Sequence, residues 1–371
     1  MQARVRDIVD IMESFFPLHL AEDWDNVGLQ IGSWQASVSK VMVVLDLDQA
    51  ALQQAIQRKA DMIVTHHPLF LKGIKSINYD QAQGNLVSKI IEAGITVYSA
   101  HTNLDAGERG LNQVLAERIG LREIEPLDKG HAERLYKLVV YVPAGHEDTV
   151  RQAILKAGAG HWGCYADCSF QSSGIGTYRP LEGSHPFIGR EGVMEEVKEC
   201  RLETIVPQAK LGKTLQAMLQ AHPYEEVAYD LYLLENSGPV FSLGRIGQLA
   251  AEMSLEEFCV LVKKSLDIEF LRVVGDMERA VKKIAVVSGA GASFMSIARN
   301  RDCDALLTGD LKYHEARDAQ ALGLAIVDAG HQASEEIMSS CLSDLLNEEC
   351  RQRCLDVDVT YINNQECIRT L

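Results

Sequence analysis

Residues 40–68 read KVMVVLDLDQAALQQAIQRKADMIVTHHP, and the fold is decided there. KVMVVLDLD (40–48) is a short apolar run that reads as a buried strand. DQAALQQAIQRKA (48–60) has helical periodicity, and ADMIVTHHP (60–68) reads as a second strand, broken by Pro68. Outward from this unit, a helix around 85–93 and a strand at ITVYSAH (95–101) continue the alternation. Toward the N-terminus, a helix over about 4–16 ends at Pro17, and AEDWDNVGLQIG (21–32) follows as a loop of turn formers. Strand, helix and strand in alternation predict an α/β fold with a parallel sheet.

The same grammar returns in KIAVVSGAGASFMSIARNRDCDALLTGD (283–310). Lys40 precedes Thr65 by the same interval as Lys283 precedes Thr308, and GITVYSAH (94–101) has an echo in GLAIVDAGH (323–331). We read two related halves, each presenting its functional residues at the carboxyl ends of parallel strands, where open α/β sheets place their sites. Between them, ERLYKLVVYVP (133–143), a helix EDTVRQAILKAG (147–158), a Gly/Cys/Ser-rich loop, KECRLETIVP (198–207), a helix at 210–221 and HPYEEVAYDLYLLE (222–235) form a different segment. Its pattern is that of a ferredoxin-like unit. Asp128-Lys129-Gly130 and Asn236-Ser237-Gly238-Pro239 read as its linkers. The expected organisation is 1–130 and 244–371 as the two core halves, with 131–243 as an inserted domain.

A net charge of −16 argues against a nucleic-acid binder, whose affinity rests on Lys and Arg neutralising phosphates. No apolar run approaches a membrane span, and the N-terminus lacks the uninterrupted apolar stretch of a signal peptide, so a cytoplasmic location is expected. Nine scattered cysteines suit reduced thiols.

Of eleven histidines, five (66, 67, 101, 314 and 331) fall at or just after predicted strand ends in the core halves. At a strand terminus, where the chain turns, both rings of His66-His67 can converge on one cleft, although on a strand they would point to opposite faces. Asp105 follows in HTNLDAG (101–107), where an Asx turn is the plainer explanation, and His331 and Glu335 share one face if GHQASEE (330–336) is helical. Three imidazoles and two carboxylates without thiolate suit zinc, iron, manganese or nickel. Five donors serve two ions when a carboxylate bridges them, the arrangement of metal-assisted hydrolysis. His101 and His314 are candidates for orienting the ligands by hydrogen bonding or for carrying a proton to a leaving group. Asp25 and Asn26 either line the pocket or form an Asx turn. Gly289 and Gly291 either cradle a phosphate or permit tight strand–helix packing.

THHPLF (65–70), HTNLDAG (101–107), GHQASEE (330–336), WDNVGLQIG (24–32) and LLTGDLKYH (306–314) together resemble the signature of the NIF-three-like dinuclear-metal family, whose members carry the label GTP cyclohydrolase 1 type 2 homologue. The resemblance implies that His66, His67, Asp105, His331 and Glu335 ligate two divalent ions, and that the chain forms a toroidal homohexamer with its metal sites facing an internal cavity. The insert, through AHPYEEVAYD (221–230), is similar to the PII/CutA-like trimeric domain of the longer bacterial members. That likeness gives His222 and Glu225 a structural part in a trimeric lid, with ligand binding as the alternative. The expected function is a metal-dependent hydrolase of a nucleotide or another small phosphorylated or cyclic amide substrate. The alternative is a non-catalytic metal-loaded scaffold or regulator working through the insert.

Overall fold

The computed structural model describes residues 2–368. Two compact units are present, one made of residues 1–131 and 241–371, the other of 132–240, set against the expected 131–243 for the insert.

In the larger unit the parallel core of the first sheet is Lys40–Val44, Met62–Thr65 and Thr96–Ser99. Helix Gln49–Arg58 crosses between the first two. It starts where the Asp48 carboxylate accepts the Ala51 amide at 2.7 Å and ends on Lys59 in the left-handed region. The second sheet repeats this with Ala280–Val286, Ala305–Thr308 and Ala325–Asp328. The repeat extends to side chains at the strand starts. One Asp61 oxygen accepts the amides of Ser39 and Lys40, and one Asp304 oxygen accepts those of Lys282 and Lys283. It extends further back as well. Helix Val5–Phe15 and antiparallel edge strand Gly28–Ile31 correspond to helix Leu255–Leu266 and antiparallel edge strand Arg272–Val274. The expected two related halves are thus the core architecture.

The halves also exchange strands. Asp358–Tyr361, late in the chain, pairs in parallel with Lys40–Val44, while Arg122–Pro126, from the first half, joins the second sheet against Arg245–Ser254. Strand residues bury both ways. Val41, Val43, Met62 and Val64 share one core with Ile284, Val286, Ala305 and Leu307, along with residues of the helices Val5–Phe15, Leu111–Arg118, Leu255–Leu266 and Ile337–Gln352. Met42, Val44, Ile63 and Val97 face an outer layer that includes Gln49–Arg58 and Ala82–Glu92. Two-sided burial is why these strands are continuous apolar runs rather than alternating ones. Helix Leu255–Leu266 buries Leu255, Phe258, Cys259 and Val262.

In the smaller unit the element order is strand, helix, strand, strand, helix, strand. The sheet runs Ser169–Tyr178, Glu195–Pro207, His131–Pro143, Tyr229–Phe241, which is the ferredoxin-like order. Two local expectations are corrected. The Gly/Cys/Ser-rich stretch read as loop contains strand Ser169–Tyr178, whose residues are exposed almost throughout, so no apolar alternation marks it. Asn236-Ser237-Gly238-Pro239, read as a linker, lies inside Tyr229–Phe241. All nine cysteines are free thiols. No helix among the described residues is long and apolar enough to cross a membrane.

Candidate metal centre

Parallel pairing brings the strand ends of each half to one edge: Val44, Thr65 and Ser99 are register neighbours in the first, Thr308 and Asp328 in the second. The residues just beyond these ends are Asp46, His66, His67 and His101 on one side, and Gly289, Asp310 and His331 on the other. The two edges meet. His67 Nε2 and His331 Nε2 stand 3.4 Å apart, and the Glu335 Oε2 atom is 3.0 Å from each. Donors bound tetrahedrally at about 2.0–2.1 Å lie about 3.3 Å from one another, so this triangle has the size of a metal's ligand face. His66 Nε2 lies 3.5 Å from Asp105 Oδ1 and 4.0 Å from Glu335 Oε1. His66, His67 and His101 form a second three-donor grouping beside His67, His331 and Glu335.

The carboxylates come from two short helices that occupy equivalent places, Thr102–Ala106 after the third parallel strand of the first half and His331–Glu335 after that of the second. Gly289 lies beneath Glu335. A Cβ there would fall 2.2 Å from Glu335 Oε1, and its φ of +57° is in the left-handed region. The phosphate-cradle reading of Gly289 and Gly291 gives way to packing, because a Cβ on Gly291 would meet Val287 and Thr308.

Every imidazole in the cluster is fixed through Nδ1. His67 Nδ1 is 2.8 Å from Asp46, His331 Nδ1 is 2.8 Å from Asp310, His101 Nδ1 is 3.0 Å from Asp25, and His66 Nδ1 is 3.0 Å from the Ala100 carbonyl. Bonding at Nδ1 selects the tautomer and aims Nε2 at the centre, as the outer partners of metal-binding histidines do. Asp46 and Asp310 escaped the sequence reading, although a signal exists: each precedes its histidine by 21 residues and sits two residues past a parallel strand. Asp25 both buttresses His101 and accepts the Thr102 amide at 3.1 Å, so the choice between pocket residue and turn former is a false one. Asn26 ties the neighbouring loop through Phe70 O. His314 lies outside both groupings, exposed in helix Tyr313–Leu322 with its ring against Tyr313.

With only protein groups to meet, the cluster is electrostatically unbalanced. Burial holds His66 neutral, down to about 3. Burial also opposes charge on His67, but hydrogen bonding to Asp46 and Glu335 pushes it up to about 10. The Glu335 contact raises His331 to about 9. Burial and then the Glu335 charge push the Asp105 carboxyl well above the usual range. Burial works against ionised Glu335, yet His331 and His67 hold it below the usual range. His66 Nε2, Asp105 Oδ1 and Glu335 Oε2 are buried without a well-directed hydrogen bond. Orphaned polar atoms are rare in folded proteins, and His66 Nε2 and Asp105 Oδ1, which face each other at 3.5 Å, fit a bound cation.

Two α/β repeats joined at a His/carboxylate group able to hold a metal define the class of this protein. The chain belongs to the Duf34/NIF3 (NGG1p interacting factor 3) family, whose family model matches residues 3–367. It is 42% identical over 354 residues to a Bacillus subtilis protein named GTP cyclohydrolase 1 type 2 homolog, covering 95% of each chain. It is 42% identical over 357 residues to the Halalkalibacterium halodurans protein of the same name, covering 96% of each. A Bacillus cereus crystal structure described as related to NIF3 superposes with a TM-score of 0.91 at 40% identity, covering 100% of both chains. A Staphylococcus aureus crystal structure gives 0.77 at 27% identity, covering 100% of this chain and 99% of that one.

Asp46→Ala and Asp310→Ala leave every candidate donor in place but free one imidazole each to rotate. Each is expected to weaken metal affinity about 10–100-fold, measured by competition with a coloured chelator. Unchanged affinity in both would mean the two imidazoles are not ligands.

Proposed function

We propose that this chain is a metal-dependent hydrolase whose centre is held by His66, His67, Asp105, His331 and Glu335. The observation that carries the reading is the pair of orphaned buried atoms, His66 Nε2 and Asp105 Oδ1, beside two imidazole nitrogens aimed by carboxylates. His67, His331 and Glu335 would hold one divalent ion. His66 and Asp105 would hold a second, with Glu335 shared between them. Mixed imidazole and carboxylate donors favour zinc, iron, manganese or nickel. A bound divalent ion supplies Lewis acidity and activates water for attack. Around it the chain's own groups bind and orient, and His101, held at Nδ1 by Asp25, offers Nε2 for moving a proton. The proposed substrates are a nucleotide or another small phosphorylated or cyclic amide compound. The relatives' shared name supports GTP as the first to try. The family resemblance also supports a cytoplasmic toroidal homohexamer and a PII/CutA-like character for the insert.

The test is turnover of a nucleotide panel by metal-loaded protein. Hydrolysis that needs the metal and disappears in Asp105→Ala, with the oligomer intact, is the expected result. A second reading, a metal-loaded scaffold, is favoured by the insert's standing as a compact unit of its own. It predicts no turnover and a ligand or partner whose affinity tracks the insert.

Loading should also depend on pH. His67 near 10 and His331 near 9 carry protons at neutral pH until a cation displaces them. Raised pKa values make the proton the competitor, so affinity rises with pH toward those values and falls as pH drops. Calorimetric titration in buffers of different ionisation enthalpy is expected to show proton release, and weaker binding at about pH 6 than at about pH 8. Affinity independent of pH would count against these imidazoles as ligands.

A further inference from the structure

Arg245 is buried, and the metal centre does not use it. A guanidinium has five N–H donors in one plane. Here all five meet acceptors, and none of these is a carboxylate. Nε donates to Gln113 Oε1 at 3.2 Å, and Nη1 to the carbonyls of Ser242 (2.5 Å) and Gly244 (3.2 Å). Nη2 donates to the carbonyls of Ala106 (3.0 Å) and Gly107 (2.6 Å). Burial opposes this cation, the charges of Glu108 and Asp128 partly offset that cost, and every direct hydrogen bond goes to an uncharged acceptor.

Ala106 and Gly107 immediately follow Asp105. The front of that short turn is pinned by Asn103, which accepts the His101 amide and donates to Phe16 O, and Arg245 grips its rear carbonyls. Asp105 Oδ1 has no hydrogen bond, so its place is set by the backbone between these two anchors. The equivalent turn carrying Glu335 is held otherwise, by Ser334 Oγ accepting the Gly289 amide and donating to His331 O.

We propose that Arg245 is the positioning residue for Asp105, setting the strength of the ion site that His66 and Asp105 share, while the His67–His331–Glu335 site is independent of it. This rests on the two-ion reading above. The other two carbonyls that Arg245 holds, Ser242 and Gly244, belong to the segment by which the chain returns from residues 132–240. Its carbonyl and hydroxyl oxygens also bond the outgoing segment, where Leu127 N donates to Gly244 O and Asp128 N to Ser242 Oγ. The same guanidinium therefore ties the Asp105 turn to the root of the insert.

Arg245→Lys keeps a charge but has three donors and no planar fork. Cobalt titration of the full chain, followed by visible absorption and chelator competition, resolves the two binding steps, with thermal melting of the metal-free protein run alongside. The expected result is that the step weakened in Asp105→Asn, run alongside, falls by about tenfold or more while the other step is unchanged. Two unchanged steps, or both falling together, would overturn the proposal, the latter because a mere structural prop affects both sites. Should Arg245→Lys fail to fold, Gln113→Ala removes only the Nε acceptor. It is expected to weaken the same step a few-fold, and an unchanged step contradicts the inference. Failure of the metal reading is told apart by wild-type protein, which would then bind no cobalt in either step.

Discussion

Glu335→Gln is expected to empty the centre while leaving the fold intact. The amide has the carboxylate's size, and the backbone anchors of its turn, Ser334 to Gly289 and Ser334 to His331, do not involve the side chain. The loss is electrostatic. Glu335 Oε2 is the atom shared at 3.0 Å by His67 and His331, and Oε1 is the carboxylate oxygen that faces His66 at 4.0 Å. Both proposed ions lose their common anion. Changing an outer partner of a metal site costs about 10–100-fold in affinity, so loss of a shared ligand is expected to exceed about 100-fold. Asp105→Asn is expected to weaken one step only. Glu336→Gln is the control, a neighbouring carboxylate engaged instead with Gln332 and the Asn364 amide, and it should change neither step. Glu335→Gln protein that keeps both ions would remove Glu335 from the centre.

Gly289→Ala is the second large effect, and it acts without touching a donor. The new Cβ would lie 2.2 Å from Glu335 Oε1 and 3.3 Å from His331 Cε1. The loop cannot retreat, because the Gly289 amide donates to Ser334 and its carbonyl accepts from the Gly309 amide at 2.7 Å. Glu335 must therefore move. A left-handed residue with a Cβ costs about 1–2 kcal/mol, which at this size corresponds to a drop of roughly 2–8 °C in Tm. Gly323→Ala separates the two consequences. Its φ is +66° and its Cβ would meet nothing within 4 Å, so it pays a similar backbone cost far from any donor. Both variants should melt lower, and only Gly289→Ala should lose metal affinity, by about tenfold or more. Equal affinities would show that the floor beneath Glu335 does not shape the site.

Much of this fold is legible from residue order because the parallel strands are buried on both faces and print as apolar runs. The Lys40–Thr65 and Lys283–Thr308 intervals expose the repeat, and Asp61 and Asp304 give it a physical basis in matching amide contacts. The candidate donors at strand ends are readable for the same reason, since a histidine after an apolar run is conspicuous. The strand exchange was not. Arg122–Pro126 is polar and largely exposed, and Asp358–Tyr361 is four residues long, so neither carries a pattern that names its distant partner. Ser169–Tyr178 was missed because an exposed strand lacks an apolar face. Arg245 was invisible for another reason, and Asp46 and Asp310 showed only in their common spacing to a histidine. An acid or a base acquires its role only from what it touches, and those contacts are distant in sequence or depend on backbone carbonyls that no residue name reveals.

The most direct measurement is elemental analysis of chelator-free wild-type protein beside His66→Ala and Glu335→Ala. A dinuclear centre predicts about two transition-metal ions per chain in the wild type and their loss in the variants. Metal near zero in the wild type, not restored by added zinc, iron, manganese or nickel, would contradict it.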